Sequence, residues 1–372
     1  MTKVVFETAT LADAVKKAEK IAPSKGQAFD MAAGFVLEVT PGLPVVVRST
    51  NLEIFSMEWI ETLETDGEKT SWRVPAGLFA QVVTSLPIGS GKTVTLEDQI
   101  VGFSSQLHLT SGRTKAKFNM LDVSHYPHWT AFDPDSLFKV NDFGGRMALV
   151  EWATDKSLPP LTGVHLDGEF AFGTDRFRLA ATELPIPDLP HPITIPAKIL
   201  SQVMKQIGEV QIGFEGTQLL VMPDEYTQLR SVIFAEQYPN MTRALSMKFD
   251  TSVRIKKEPF LEILNRASNF AGGDRIPHLK MFIGKEEIAV MMTNDEVGLL
   301  GDVYEIPGQA EHGRFTIGFT PRNIIESVAN APSAELTLHY NEGNSTSMVH
   351  IDGGSGYKTW VMPRSEKRAE EQ

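Results

Sequence analysis

Three groupings in this 372-residue chain have residue types that could do chemistry. Gly89-Ser90-Gly91-Lys92-Thr93 ends like a phosphate-binding loop, in which backbone N–H groups cradle phosphates and the lysine reaches them. That loop also needs Gly or Ala five residues before its second glycine, and Leu86 stands there. It needs a strand before and a helix after, whereas the local pattern is helix then strand, so a tight turn is the better account. His125 and His128 are too close for a helical zinc pair, and no third ligand accompanies them. Asp133 and Asp135 flank Pro134, which reads as a linker between domains. With no cysteine there is no disulfide, thiolate nucleophile or cysteine-bound zinc. No nucleophile–base pair emerges, so the reading is a non-enzyme without cofactor or metal.

The composition is that of a globular chain, 42% hydrophobic and 22% charged. No apolar run approaches the roughly 18 residues a membrane span requires. The start, MTKVVFETATL, lacks a signal peptide's apolar core, so a cytoplasmic protein is expected. A net charge of −12 argues against nucleic acid on average. It says nothing of how charge is distributed, because an acidic exterior with one basic face gives the same total.

The elements repeat. Residues 10–22 place Leu11, Ala14, Val15, Ala18 and Ala22 at helical spacing behind Thr10 as an N-cap, with Lys16, Lys17 and Lys20 opposite. A second helix opens at Val74-Pro75-Ala76, and the pattern returns at Ile195-Pro196-Ala197 and at Phe319-Thr320-Pro321. Those prolines recur at intervals of about 120 residues, a domain-sized period. First helices recur around Phe143, Met147 and Val150, where Gly144-Gly145 weaken the start, and after Pro259. Tyr126-Pro127 and Tyr238-Pro239-Asn240 close two units. Three domains follow, at 1–132, 133–248 and 249–372, each with two helices and roughly eight strands in an α+β arrangement, and with 365–372 as a charged, disordered tail. Helices with one apolar stripe must cover a sheet, so their polar faces can share one surface. Candidates for that surface are Lys16, Lys17, Lys20, Arg146, Lys198, Lys205, Arg266 and Arg322.

The stretch Leu161–Pro185 holds Gly163, then Thr174-Asp175, then Arg178-Leu179-Ala180 entering a strand, and Val361-Met362-Pro363 follows near the end. In this order, and with the threefold repeat, the chain resembles the bacterial sliding clamps, the β subunits of DNA polymerase III, from about Val5 to Pro363. The resemblance implies a DNA-clamp fold whose head-to-tail homodimer forms a ring around double-stranded DNA. It also implies a processivity factor that tethers the replicative polymerase, the clamp loader and other clamp-binding peptides. The basic surface, with Lys25 and Gln27, would then face phosphates without reading sequence. A cleft between the second and third domains would be walled by Leu161, Thr174, Arg176, Phe177, Arg178, Leu179, Pro239, Ala244, Trp360 and Met362. The dimer contact would set Arg113, Lys115 and Lys117 on one edge strand against Asp302 and Glu305 on another, with Phe270 beside them.

The chain departs from that family at several points. Arg176-Phe177 stands where Gly-His is usual, Trp360 where an aliphatic residue is usual, Gln27 for an arginine and Gly77 for a basic residue. Two other readings stay open at this stage: a scaffold of the same fold that docks peptides without loading onto DNA, and a carbohydrate or nucleotide enzyme built from repeated α+β domains.

Overall fold

The computed structural model describes residues 1–23, 30–101, 104–187, 189–204, 208–272, 277–294, 296, 298–306 and 315–364. Helices are few and sheets are antiparallel. The helices are α1 (Thr8–Ile21), α2 (Ala76–Thr84), α3 (Phe143–Glu151), α4 (Ala197–Met204), the single turn α5 (Thr242–Leu245), α6 (Lys257–Phe270) and α7 (Pro321–Ala329). By its contacts the chain divides into two compact units, one of residues 1–145 and 195–234, the other of residues 146–194 and 235–372.

In the first unit a five-stranded sheet runs Glu64–Asp66, Lys3–Glu7, Thr93–Val101, Ser104–Ser111, Thr114–Asn119, and ends on that last strand as an edge. An eight-stranded sheet joins Phe138–Asn141, Glu209–Glu215, Gln218–Asp224 and Thr227–Val232 to Ile54–Ile60, Val45–Thr50, Phe35–Val39 and Thr70–Val74. The seam between the first and second sequence repeats is the antiparallel pairing of Thr227–Val232 with Ile54–Ile60, in which Leu229 lies opposite Ser56. The apolar stripes of α1 and α2 supply the core beneath: Leu11, Val15, Phe79 and Val83 pack with Phe35, Trp72 and Phe118, all buried. Phe79 meets Phe35 and Phe118 edge-on, with ring centroids 5.7 and 5.1 Å apart.

The second unit repeats the scheme. Its eight-stranded sheet runs Ile193–Ile195, Val164–Leu166, Phe170–Thr174, Arg178–Glu183, Tyr357–Val361, Val349–Asp352, Glu335–Tyr340, Thr251–Lys256. Here the seam between second and third repeats is Arg178–Glu183 against Tyr357–Val361. A four-stranded sheet of Phe315–Phe319, Leu279–Ile283, Glu287–Asn294 and Gly298–Glu305 ends on the last as an edge.

Two expectations about helix starts need correction. The first helix opens at Thr8 with Glu7 as its cap, and no side chain caps it, so Thr10 is not the cap. The physical reason is that the Thr8 N–H is already satisfied by the Lys92 carbonyl at 2.9 Å, so the strand passes straight into the helix. The same bond recurs as Lys257 N–H to the Ala334 carbonyl at 2.8 Å and as Asp142 N–H to the Gly208 carbonyl, once per repeat. Gly144 does not merely weaken α3. A side chain there would stand 2.4 Å from the Met204 carbonyl oxygen, so glycine is what lets α3 and α4 pack closely. The Gly89–Thr93 stretch is a turn, closed by Lys92 N–H on the Gly89 carbonyl at 3.1 Å, and it leads into a strand.

Candidate functional site

The docking site expected from the sequence lies wholly within the second unit. Its frame is sheet register. Thr174 pairs with Leu179, Leu179 with Trp360, Trp360 with His350, and His350 with His339. Cross-strand partners project to one face, so these five side chains form a row across five strands. Two residues along each strand, Phe177 and Met362 share that face, and the Met362 N–H donates to the Phe177 carbonyl at 2.8 Å. Opposite this face sits the segment from Tyr238 through α5. Leu161, Phe172, Leu179, Ala181, Tyr238 and Trp360 form one buried cluster, with Met241, Ala244, Leu245 and Phe249 packed on it.

The residues expected to wall the cleft therefore come together, in two layers. Leu161, Thr174, Arg178, Leu179 and Trp360 are buried, Trp360 to 2% exposure. Arg176, Phe177, Pro239 and Met362 are exposed, Phe177 at 55% and Met362 at 39%, and Ala244 is half-buried. The indole of Trp360 fills the floor where a shorter side chain would leave a hollow. The exposed side chains above this floor are thus Phe177 and Met362 with Arg176 beside them. Tyr238 stacks on His165 with centroids 4.5 Å apart and planes within 1°. Burial pushes the Tyr238 hydroxyl well above the ordinary tyrosine range.

The turn that presents Arg176 and Phe177 is held by its neighbours. The Asp175 carboxylate accepts from the backbone N–H groups of Phe177 and Arg178, at 3.0 and 2.8 Å, an Asx turn. Thr174 Oγ1 accepts from Arg176 N–H at 3.1 Å. Arg176 itself has φ +77, a left-handed conformation that costs a branched backbone about 1–2 kcal/mol. Glycine is the natural occupant there. Below, the buried Arg178 donates from Nε and Nη2 to Asp175 at 3.0 and 2.9 Å, donates from Nη1 to Glu326 of α7, and stacks over Trp152 at 5.1 Å. Glu326 also accepts from Arg322 Nε at 2.8 Å. Burial works against its charge, but the two guanidiniums hold the carboxyl below the usual glutamate range. Close approach matters behind the turn too: a side chain at Gly173 would stand 2.1 Å from the Val150 carbonyl oxygen of α3. Arg178 is accordingly a brace for the turn. Asp175 and Glu326, which complete the brace, were not among the expected site residues. The signal for Glu326 was its place four residues after Arg322 on one helix.

The expected phosphate-facing cations are placed unevenly. Lys16 and Lys20 are exposed on α1. Lys17 leans onto the sheet, 2.9 Å from Glu58 and 3.0 Å from Asp13. Burial disfavours its charge, yet those carboxylates raise its pKa above the usual lysine value. Arg146 donates to the Ser355 carbonyl at 2.8 Å and to Thr182 Oγ1 at 3.3 Å. Arg266 pairs with Asp302 at 2.7 Å, and Arg322 with Glu326. Lys25, Gln27 and Lys205 lie outside the described residues, as does the side chain of Lys198.

Of the expected dimer contacts, Arg113, Lys115 and Lys117 are exposed at the hairpin and edge strand Thr114–Asn119, and Glu305 is exposed on the edge strand Gly298–Glu305. Asp302, on that second strand, is engaged by Arg266 of its own chain. Phe270 ends α6, half-buried.

No family model matches the chain. A curated β sliding clamp of Bacillus subtilis is 26% identical over 331 residues, which is 82% of this chain and 82% of that one. The β sliding clamp of Synechocystis is 25% identical over 324 residues, 78% of this chain and 81% of its own. Among solved structures, the β subunit of DNA polymerase III from Thermotoga maritima superposes with a TM-score of 0.83 at 21% identity, covering 98% of this chain and all of that one. The chain is thus similar to β sliding clamps along most of its sequence and has their fold along nearly all of its length.

Proposed function

We propose that the protein is a DNA sliding clamp, a non-catalytic processivity factor that encircles duplex DNA as a homodimer and tethers a replicative polymerase and other peptide-bearing partners at the Phe177–Met362 surface. In this reading the chain is three domains, 1–132, 133–248 and 249–372, acting in the cytoplasm.

The observation that carries the reading is the pattern of sheet seams. Twice, a strand of one repeat is zipped antiparallel onto a strand of the next: Ile54–Ile60 onto Thr227–Val232, and Arg178–Glu183 onto Tyr357–Val361. Among the strands that end these sheets, Thr114–Asn119 of the first repeat and Gly298–Glu305 of the third carry opposite charge. Exposed edges invite pairing, and a second copy offers the missing partner to each. Edge charges favour that register, with Lys115 and Lys117 against Glu305, while Leu299 and Val303 stand exposed on the acidic edge, at 57% and 47%. Two such contacts related by a two-fold axis close a ring.

A closed ring needs no tight DNA site. Exposed Lys16 and Lys20 supply a sequence-independent attraction that weakens with salt. The test is solution mass with small-angle scattering, followed by retention on nicked circular and on linear duplex at several salt concentrations. A particle of twice 41.1 kDa with a hollow profile, retained on circles and shed from linear ends, is the expected result. A monomer at every concentration sinks the ring.

A second reading has an observation of its own. Lys17, Arg266 and Arg322 each have a carboxylate partner within the chain, which reduces the charge offered to phosphate. A peptide-docking scaffold that does not load onto DNA fits that pattern. Retention on circles no better than on linear duplex would select it.

A further inference from the structure

The row of side chains that carries Leu179 and Trp360 does not stop at Trp360. On its far side the same sheet face holds a cavity of about 220 Å³, lined by Leu245, Met247, Phe249, His339, His350, Lys358 and Trp360. Apart from Trp360, none of these belongs to the docking residues that the clamp resemblance carries.

The cavity is smaller than the roughly 300 Å³ at which small-molecule pockets begin, so its capacity is about one side chain. Its walls are flat rings. His339 stacks on His350 with centroids 5.0 Å apart and planes 14° apart, His350 stacks on Trp360 at 4.8 Å and 18°, and Phe249 lies 5.7 Å from His350. Burial, with His339 and Lys358 nearby, pushes His350 down to about 4, and burial lowers His339 as well. Both imidazoles are therefore neutral at pH 7, and the walls behave as aromatic surface. One positive charge is at hand, the Lys358 ammonium. Asp352 is its cross-strand neighbour, yet the two make no ion pair among the described residues, so the ammonium can accept a carboxylate.

We propose that this cavity is a second anchoring pocket of the docking surface, taking one aromatic side chain of a partner's linear peptide, with an adjacent carboxylate of that peptide at Lys358. The inference rests on the docking reading above. Ring walls set at stacking distance favour a further ring over an aliphatic group, because offset and edge-on contacts each add to plain burial. The cation at the rim selects an acidic neighbour and disfavours a basic one. Since Trp360 closes the floor on the Leu179 side, this hollow supplies the depth that the exposed Phe177 and Met362 do not.

The test uses the full chain labelled with ¹⁵N at tryptophan, the Trp360 indole signal being assigned by its loss in Trp360→Phe. The probe is N-acetyl-Phe-Asp amide, with N-acetyl-Ala-Asp amide as control. The expected result is a saturable shift of the Trp360 signal with the phenylalanine probe and a response at least about 5-fold weaker with the alanine control, the discrimination a buried ring contributes. Met247→Trp fills the cavity and should abolish the shift. Lys358→Gln, a near-isosteric change at a half-buried position, should weaken binding by up to about 5-fold, as a rim ion pair does. Equal response to both probes, or a shift untouched by both variants, overturns the pocket. Duplex retention measured on the same sample separates the two ideas. Retention without a probe shift sinks the pocket alone, and a probe shift without retention sinks the clamp reading and leaves a docking scaffold.

Discussion

Arg176 is the residue at which the site departs furthest from local rules. A non-glycine residue at φ +77 is strained, and such strain tends to sit where function holds it. Arg176→Gly should leave stability unchanged or raise it by up to about 1 kcal/mol, because the relief is offset by glycine's extra chain entropy. Arg176→Val should destabilise by more than about 1 kcal/mol, since a β-branched side chain tolerates that conformation least. Urea denaturation of the two variants checks the sign. His350 makes a second residue-scale prediction. Its folded pKa of about 4 lies below the ordinary value of 6.5, so the unfolded chain binds the proton more tightly. Its contribution to stability is complete above pH 6.5 and is lost as pH falls from 6.5 towards 4, by on the order of 3 kcal/mol at most. In His350→Asn that part of the stability–pH curve should be shallower, His339 and His165 keeping a share of the slope, and an unchanged acid slope would assign it to other groups.

At the scale of elements, one carboxylate of α7 ties two arginines of different exposure. Arg178 is buried and Arg322 is largely exposed, and Glu326 accepts from both. Glu326→Ala leaves Arg178 buried with Asp175 as its one remaining carboxylate, which should cost about 3 kcal/mol and loosen the Thr174–Arg178 turn. Arg322→Ala removes an exposed pair on the same helix and should cost less than about 1 kcal/mol. Thermal unfolding ranks the two, and comparable losses would mean that Glu326 does not brace the turn. The helices themselves were legible in the sequence, because each has one apolar stripe and a proline or a strand end at its start. The start of α1 was not legible. Its first N–H finds its acceptor in Lys92, more than eighty residues on, and no local pattern records that bond. Gly144-Gly145 likewise looks like a weak helix start until the Met204 carbonyl is seen against it.

For the whole molecule, the oppositely charged edges Thr114–Asn119 and Gly298–Glu305 make the sharpest prediction. In the proposed ring, Lys115→Glu with Lys117→Glu sets like charges against Glu305 of the second copy and should shift the proposed dimer towards monomer by at least tenfold in dissociation constant at low salt, less at high salt. Sedimentation across a concentration series reads this directly, and an unchanged constant would place the contact elsewhere. Lys16→Glu with Lys20→Glu should instead leave the mass intact and speed loss from circular duplex.

The residues that meet around Leu179 and Trp360 were implied by the family resemblance, whereas the sequence by itself determined the helix stripes and the recurring proline-led helix starts. These follow from periodicity and short motifs, which are local or recur along the chain. Only the tertiary structure decided which of the candidate cations meet a carboxylate of their own chain. On a helical wheel Lys17 looks like any lysine of an exposed face, but it lies over Glu58, and Arg266 lies over Asp302. Only the tertiary structure, too, divided the docking residues into a buried floor and an exposed rim and opened the hollow beside His350. Both outcomes depend on which strands lie side by side. That pairing brings together residues as far apart as Leu179 and Trp360, and it is set by the burial of whole sheets, not by any one segment.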